Sequence, residues 1–286
     1  MGLLYSFPRK KATKKSLEQH HPKLFVLFIH DWLVPVFFVI DSNPFLQQQL
    51  GSNSVPRCQS SREMFEYLIE TYEAQKDHPL FIFGITMQNH GGYTYSGENF
   101  TKHITLNDCS EEFPDVEQYL SLIHETDLAV EHLITYFQNA DEPVVILFFG
   151  DHLPKINETF YEVIGDTAAV TLDEQQKRYM VPFFIWSNYD IDEEYVSCTS
   201  LSYLSSYVYD AANIPLFPYN RFLQEMEMNI PAINANGYYS HAEGRYLQFE
   251  EANEAERSWL DLYEALQYNS IFDKSHRNEN LFPVLK

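Results

Sequence analysis

The sequence predicts an α/β fold with a mostly parallel central sheet, and three observations carry that reading. Residues 144–149, VVILFF, hold six apolar residues without a polar break, and LFIFGIT at 80–86 is nearly as continuous. Runs this short and unbroken belong to strands buried on both faces, as in the middle of a parallel sheet. Between them lies a long stretch, 114–139, with apolar residues at helical spacing. Strand, helix, strand is a βαβ unit, which delivers both strand ends to one edge of a sheet.

Residues 1–22 are basic and polar, and LFVLFIHDWLVPVFFVI occupies 24–40. Lysines ahead of an apolar stretch suggest a signal or anchor segment. Against it, His30, Asp31 and Pro35 interrupt the run. A central Asp costs about 2.5–3.5 kcal/mol on insertion scales, and the stretch is shorter than the ~20 residues a membrane span needs. Residues 41–60 show no period and read as loop. Residues 1–58 are therefore expected to be a basic and apolar leader, distinct from the rest of the chain.

A helix opens at Ser61, with Met64, Phe65, Leu68, Ile69 and Tyr72 as its apolar stripe. The strand at 80–86 ends in Met87, Gln88, Asn89, His90, Gly91 and Gly92, where two glycines permit a tight turn and close backbone approach. Residues 93–113 form a polar, aromatic loop long enough to suggest a functional covering for a site. In the helix at 114–139, Val116, Tyr119, Leu120, Ile123, Val130, Ile134 and Phe137 share a face. Asp127 falls inside that stripe with His124 on the same side, and both read as structural residues. A third strand, VPFFIWSN, begins at Val181 after a helical stretch at 172–179. Helices are expected at 200–212, 218–229 and 259–268, and PAINANGYY at 231–239 reads as a loop.

The formal net charge of -22 argues against a nucleic-acid binder, which needs a basic face. The charge is uneven: residues 1–60 carry seven Lys and Arg against three Asp and Glu, and residues 61–286 carry 12 against 38. Cys58, Cys109 and Cys198 are odd in number and far apart, which suggests buried or free thiols and no disulfide framework.

The run at 144–149 stops at Gly150 and delivers Asp151 and His152 side by side. At the carboxyl end of a strand in an open α/β sheet, such a pair suggests metal ligands. The plainer alternative is a loop-capping Asp beside a surface histidine. The βαβ order brings His90 to the same edge. Asn89 is open between orienting a phosphate oxygen and capping the turn. Tyr93 and Tyr95 read as surface or core tyrosines, Lys155 as a solvated lysine, and Glu250, Glu251, Glu254 and Glu256 as a solvated helix face.

Three stretches together resemble one family. TMQNHGGY at 86–93, YLSLIHETD at 119–127 leading into FFGDHLP at 148–154, and WLDLYEALQYNSIFD at 259–273 are similar to the lipoteichoic acid synthase group. These are phosphoglycerol transferases of the sulfatase and alkaline phosphatase superfamily. The likeness covers about residues 60–286, so that 59–286 looks like the C-terminal portion of a sulfatase-like catalytic domain.

The resemblance implies an alkaline-phosphatase-like α/β sandwich and a divalent metal, Mn2+ first, with Mg2+ or Zn2+ as alternatives. It puts the metal ligands at Asp151 and His152 and the substrate-side histidine at His90, with Asn89 beside it. It implies transfer of glycerophosphate from phosphatidylglycerol to a glycerol-phosphate polymer or glycolipid, at the outer face of a cell membrane. Anionic phospholipid would then be the partner, and nucleic acid would not. In that family a threonine nucleophile, an acidic ligand and arginine and tryptophan contacts all precede the QNHGGY segment. Here 89 residues precede His90, and none is identifiable as nucleophile or acidic ligand. The resemblance therefore implies a chain that lacks the N-terminal part of the fold, including its first strand. Two alternatives stand beside the transferase: an inactive remnant or binding domain, and a sulfate or phosphate ester hydrolase. Cys58-Gln59-Ser60-Ser61-Arg62 nearly matches a sulfatase cysteine signature, and His30 and Trp32 stand where upstream substrate contacts would, but helix initiation and ordinary packing explain them better.

Overall fold

The structure, a computed structural model, describes residues 60–77, 79–97, 100–164, 171–273 and 275–282, with the backbone of 24–30 and 38–39. The chain divides into two compact units, Met1–Ala169 with Arg178–Asp190, and Val170–Lys177 with Ile191–Lys286.

The first unit holds a five-stranded sheet in the order β2-β3-β1-β4-β5. Its strands are β1 (Leu24–His30), β2 (Phe38–Val39), β3 (Leu80–Thr86), β4 (Val144–Gly150) and β5 (Phe183–Ser187). β1 lies in the middle, parallel to both β3 and β4, and the flanking β2 and β5 run antiparallel. Part of the run expected as leader or anchor thus supplies the central strand of this sheet. Seven apolar-rich residues span about 23 Å as a strand, and their periodicity alone does not separate strand from anchor. Cys58, Gln59 and Trp32 lie outside the described residues.

β4 is buried along nearly its whole length, as its unbroken apolar run predicts. β3 instead alternates, with Leu80, Ile82 and Thr86 buried and Phe81, Phe83 and Ile85 half-buried. It sits one strand from the sheet's end, where one face is less covered. Helices α1 (Ser61–Gln75) and α2 (Pro114–Gln138) pack together with the sheet. Phe65, Leu68, Leu133, Phe137, Ile82 and Ile146 are all at most 3% exposed in one core. α1 starts where Ser60 and Glu63 form a capping box, an arrangement worth about 1 kcal/mol. That local chemistry accounts for the Ser60-Ser61-Arg62 stretch without a modified cysteine. A short helix, α3 (Glu158–Val163), comes after β4.

The second unit holds α4 (Leu172–Lys177), α5 (Leu204–Ala211), α6 (Pro218–Glu227) and α7 (Glu254–Ile271). With them is a three-stranded antiparallel sheet of β6 (Ala232–Asn234), β7 (Gly237–Ser240) and β8 (Arg245–Leu247). The stretch expected as loop at 231–239 is the β6–β7 hairpin, with Ala235 and Asn236 as its two-residue turn. Strands of three and four residues are too short to show a period, so only their turn residues are legible in the sequence. α7 begins five residues before the expected 259, because Asn253 caps it and Glu256 completes a capping box. Tyr203, Leu223, Met226, Ile230, Tyr238 and Leu247 form this unit's own core.

Candidate active site

β3 and β4 flank β1, and their last residues, Thr86 and Gly150, both stand in register with His30. The turns carrying His90 and the Asp151-His152 pair therefore leave from the same edge, one strand apart and about 10 Å across. This is the βαβ placement expected from the sequence, with β1 inserted between the two crossings.

Gly150 ends β4 because its neighbour leaves no room. A Cβ there would lie 2.9 Å from the Val181 Cβ, while the Gly150 N–H donates to the Pro182 carbonyl at 3.1 Å. Asp151 comes next. Its side chain is 16% exposed, and burial pushes its carboxyl pKa above the usual range, opposed by the neighbouring imidazoles of His152 and His90 and by backbone N–H donors. The His152 N–H donates to Asp151 Oδ1 at 2.8 Å.

The His152 ring is oriented by its own backbone. Its Nδ1 lies 2.7 Å from the Leu153 carbonyl, which can only accept, so Nδ1 carries the proton. The other ring nitrogen, Nε2, stands 3.5 Å from Asp151 Oδ2, too far for a strong hydrogen bond. Metal-ligating histidines commonly fix their second nitrogen on a carbonyl in this way. Two donors that share one divalent ion stand about 3–3.5 Å apart. The spacing and the donor types fit a divalent cation. Among the described residues, no group of three or more His, Cys, Asp or Glu side chains is arranged to hold a metal.

The turn before His90 is anchored on the helices. Asn89 is 1% exposed, and its side-chain amide donates to Thr126 Oγ1 at 3.0 Å, while the Thr126 hydroxyl can donate to Asn89 Oδ1 at 3.2 Å. That buried pairing holds the turn to α2. Gln88 accepts the Ser61 N–H at 2.7 Å and donates to the Leu122 carbonyl at 3.2 Å. The Tyr93 hydroxyl donates to the Asn89 carbonyl at 2.6 Å, from a residue with φ of 43°. Gly91 has φ of 136° and nothing near its missing Cβ, so it is needed for conformation and not for space. His90 itself is exposed. Tyr95 is 55% exposed and Lys155 is exposed, as expected of surface residues.

The polar residues of α2 do not stand out in the sequence. Gln118 bonds both backbone groups of Tyr95, Ser121 accepts from the N–H groups of His103 and Ile104, and Glu117 accepts from that of Leu106. The loop expected as a covering is strapped along α2 by these bonds. A signal exists: Thr126 falls in line, at helical spacing, with buried Ala129, Leu133 and Phe137. Asp127, expected in the apolar stripe, is exposed, and Tyr119, Leu120 and Ile123 are only half-buried. His124 is half-buried, its ring 5.1 Å from that of His103.

The Sulfatase family model matches residues 37–214, more than half of the chain. A putative cyclic beta-1,2-glucan modification protein of Rhizobium meliloti is 23% identical over 226 residues, 72% of this chain and 33% of that protein. An uncharacterized protein of Haemophilus influenzae is 27% identical over 135 residues, 45% of this chain and 23% of that one. The chain thus spans a third or less of the length of these curated relatives. Among solved structures, the phosphoglycerol transferase GacH of Streptococcus pyogenes, in complex with sn-glycerol-1-phosphate, superposes with a TM-score of 0.56. That match covers 87% of this chain and 61% of the other at 16% identity, which shows a shared fold. The lipoteichoic acid synthase LtaP from Listeria monocytogenes gives a TM-score of 0.36 over 61% of this chain and 45% of its own, at 16% identity. With an alkaline-phosphatase-like sheet, an Asp-His pair at its carboxyl edge and a family match over most of the first unit, the chain belongs to the Sulfatase family.

Proposed function

We propose that this domain transfers glycerophosphate from phosphatidylglycerol to a glycerol-phosphate polymer or glycolipid, using a divalent cation, Mn2+ first. One observation carries the reading most. Asp151 Oδ2 and His152 Nε2 stand 3.5 Å apart, just past the end of β4, at the sheet edge from which the turn carrying His90 also leaves. Asp151 and His152 would hold the cation, which when bound neutralises phosphoryl charge and lowers the pKa of an attacking hydroxyl. His90 is placed to donate a hydrogen bond to a phosphoryl oxygen, or a proton to the departing one. The partial burial of Asp151 strengthens its attraction for a cation. The similarity in fold to a protein solved with sn-glycerol-1-phosphate supports a glycerophosphate ligand. The setting at the outer face of a membrane belongs to the same proposal.

A second reading, binding without turnover, is favoured by the absence among the described residues of a third metal-binding side chain in the cluster. Calorimetric titration with MnCl2, and release of diacylglycerol from phosphatidylglycerol vesicles with a glycolipid acceptor, separate the two. The transferase reading expects Mn2+ binding that Asp151→Ala and His152→Ala each weaken about 10-fold or more, with diacylglycerol released and glycerophosphate joined to the acceptor by the wild type alone. Metal binding without diacylglycerol release supports the binding domain. Free glycerophosphate, or sulfate from an aryl sulfate, with nothing joined to the acceptor identifies an ester hydrolase.

A further inference from the structure

The Asn89 side chain is buried one residue before the exposed His90, and its amide meets one hydroxyl from α2. Thr126, itself 5% exposed, both accepts from Asn89 Nδ2 at 3.0 Å and stands 3.2 Å from Asn89 Oδ1. Behind it, Ser61 Oγ lies 3.3 Å from Thr126 Oγ1, and Ser61 is fully buried. The Ser61 N–H is bonded in turn to Gln88, the residue preceding Asn89. Three elements, α1, α2 and the turn after β3, therefore meet in one buried polar cluster directly beneath His90. In an apolar core such a cluster has a cost if any member is left unpaired, and fully paired it fixes one arrangement. The neighbouring helical positions, Ala129, Val130 and Leu133, are apolar and pack in the core. Core packing alone would be served as well by a valine at 126.

We propose that Thr126, backed by Ser61, is a positioning residue that fixes the His90 imidazole at the sheet edge by clamping Asn89. The inference rests on the reading that His90 meets the phosphoryl group of the substrate. Threonine and valine are nearly isosteric, so Thr126→Val removes the clamp while keeping the volume. Serine keeps the hydroxyl, so Thr126→Ser should restore it.

The test is calorimetric binding of sn-glycerol-1-phosphate to the full chain in MnCl2, with the His90 ring resonances tracked by NMR and folding checked by thermal unfolding. The expected result is a 10- to 100-fold weaker affinity for Thr126→Val, the range that misplacement of a binding group produces. Affinity should return to within about 3-fold of wild type in Thr126→Ser, and Thr126→Val should add nothing in a His90→Ala background, as coupling through one group requires. The His90 resonances should move in Thr126→Val and not in Thr126→Ser. If His90→Ala weakens binding but folded Thr126→Val does not, the positioning role is overturned and the functional reading stands. If His90→Ala itself changes nothing, the functional reading falls and this inference with it. Should Thr126→Val fail to fold, Gln88→Leu makes the same test through the other tether, and an unchanged affinity there overturns the inference.

Discussion

Glu256 stands at the third position of α7 and is 4% exposed. It accepts from Tyr238 at 2.8 Å and from Ser240 at 2.5 Å, while its Oε2 takes the Asn253 N–H at 3.3 Å. The sequence places it among four glutamates and reads all four as a solvated face, yet this one is a buried acceptor near a helix N-terminus, where negative charge is favoured. Glu256→Ala leaves two buried hydroxyls and a backbone N–H without their partner. The expected loss is about 3 kcal/mol of unfolding free energy, read by chemical denaturation, whereas Glu254→Ala, on an exposed residue, should change it by less than about 0.5 kcal/mol. Composition shows that charges exist, and only the three-dimensional partners tell which is buried. For the same reason Asp151, His152 and His90 are legible from their places after strands, while Asn89 is legible only as one of two roles. Thr126 is legible only as a position on the buried face of α2, and its partner is unknown until the turn that reaches it is placed.

At the scale of elements, the long periodic pieces are readable and the short ones are not. α1 and β4 match their apolar patterns, and α2 and β3 are found where their runs predict though with less of each face buried, because all four pack against a large core. β6 to β8 escape notice, and β1 reads as leader. β4 ends at Gly150 for a reason that is itself testable. Gly150→Ala puts a Cβ within 2.9 Å of the Val181 Cβ, two atoms that cannot both stay in place. Overpacking of this kind costs about 1–3 kcal/mol, measurable as a lowered midpoint in urea. Because Asp151 is the next residue, Mn2+ affinity should fall as well. Unchanged stability would show that the chain at Val181, just before β5, yields at that point, and that the strand end is not set by this contact.

For the whole molecule, the acidic balance of residues 61–286 argues against a nucleic-acid role. No helix among the described residues is long and apolar enough to cross a membrane. Each unit has its own core, and the candidate groups Asp151, His152 and His90 all belong to the first. The family, its fold and the common edge of the three groups stand on the sequence and the structure together. The central claim is that this edge is one site, built for a cation and a phosphorylated ligand. Crystals grown with MnCl2 and sn-glycerol-1-phosphate, with data collected at a wavelength where manganese scatters anomalously, test it most directly. The account predicts an anomalous peak within about 2.3 Å of Asp151 Oδ2 and His152 Nε2, with a phosphate oxygen in hydrogen-bond reach of His90. A peak elsewhere, or a phosphate seated away from His90 with no metal between Asp151 and His152, would contradict it.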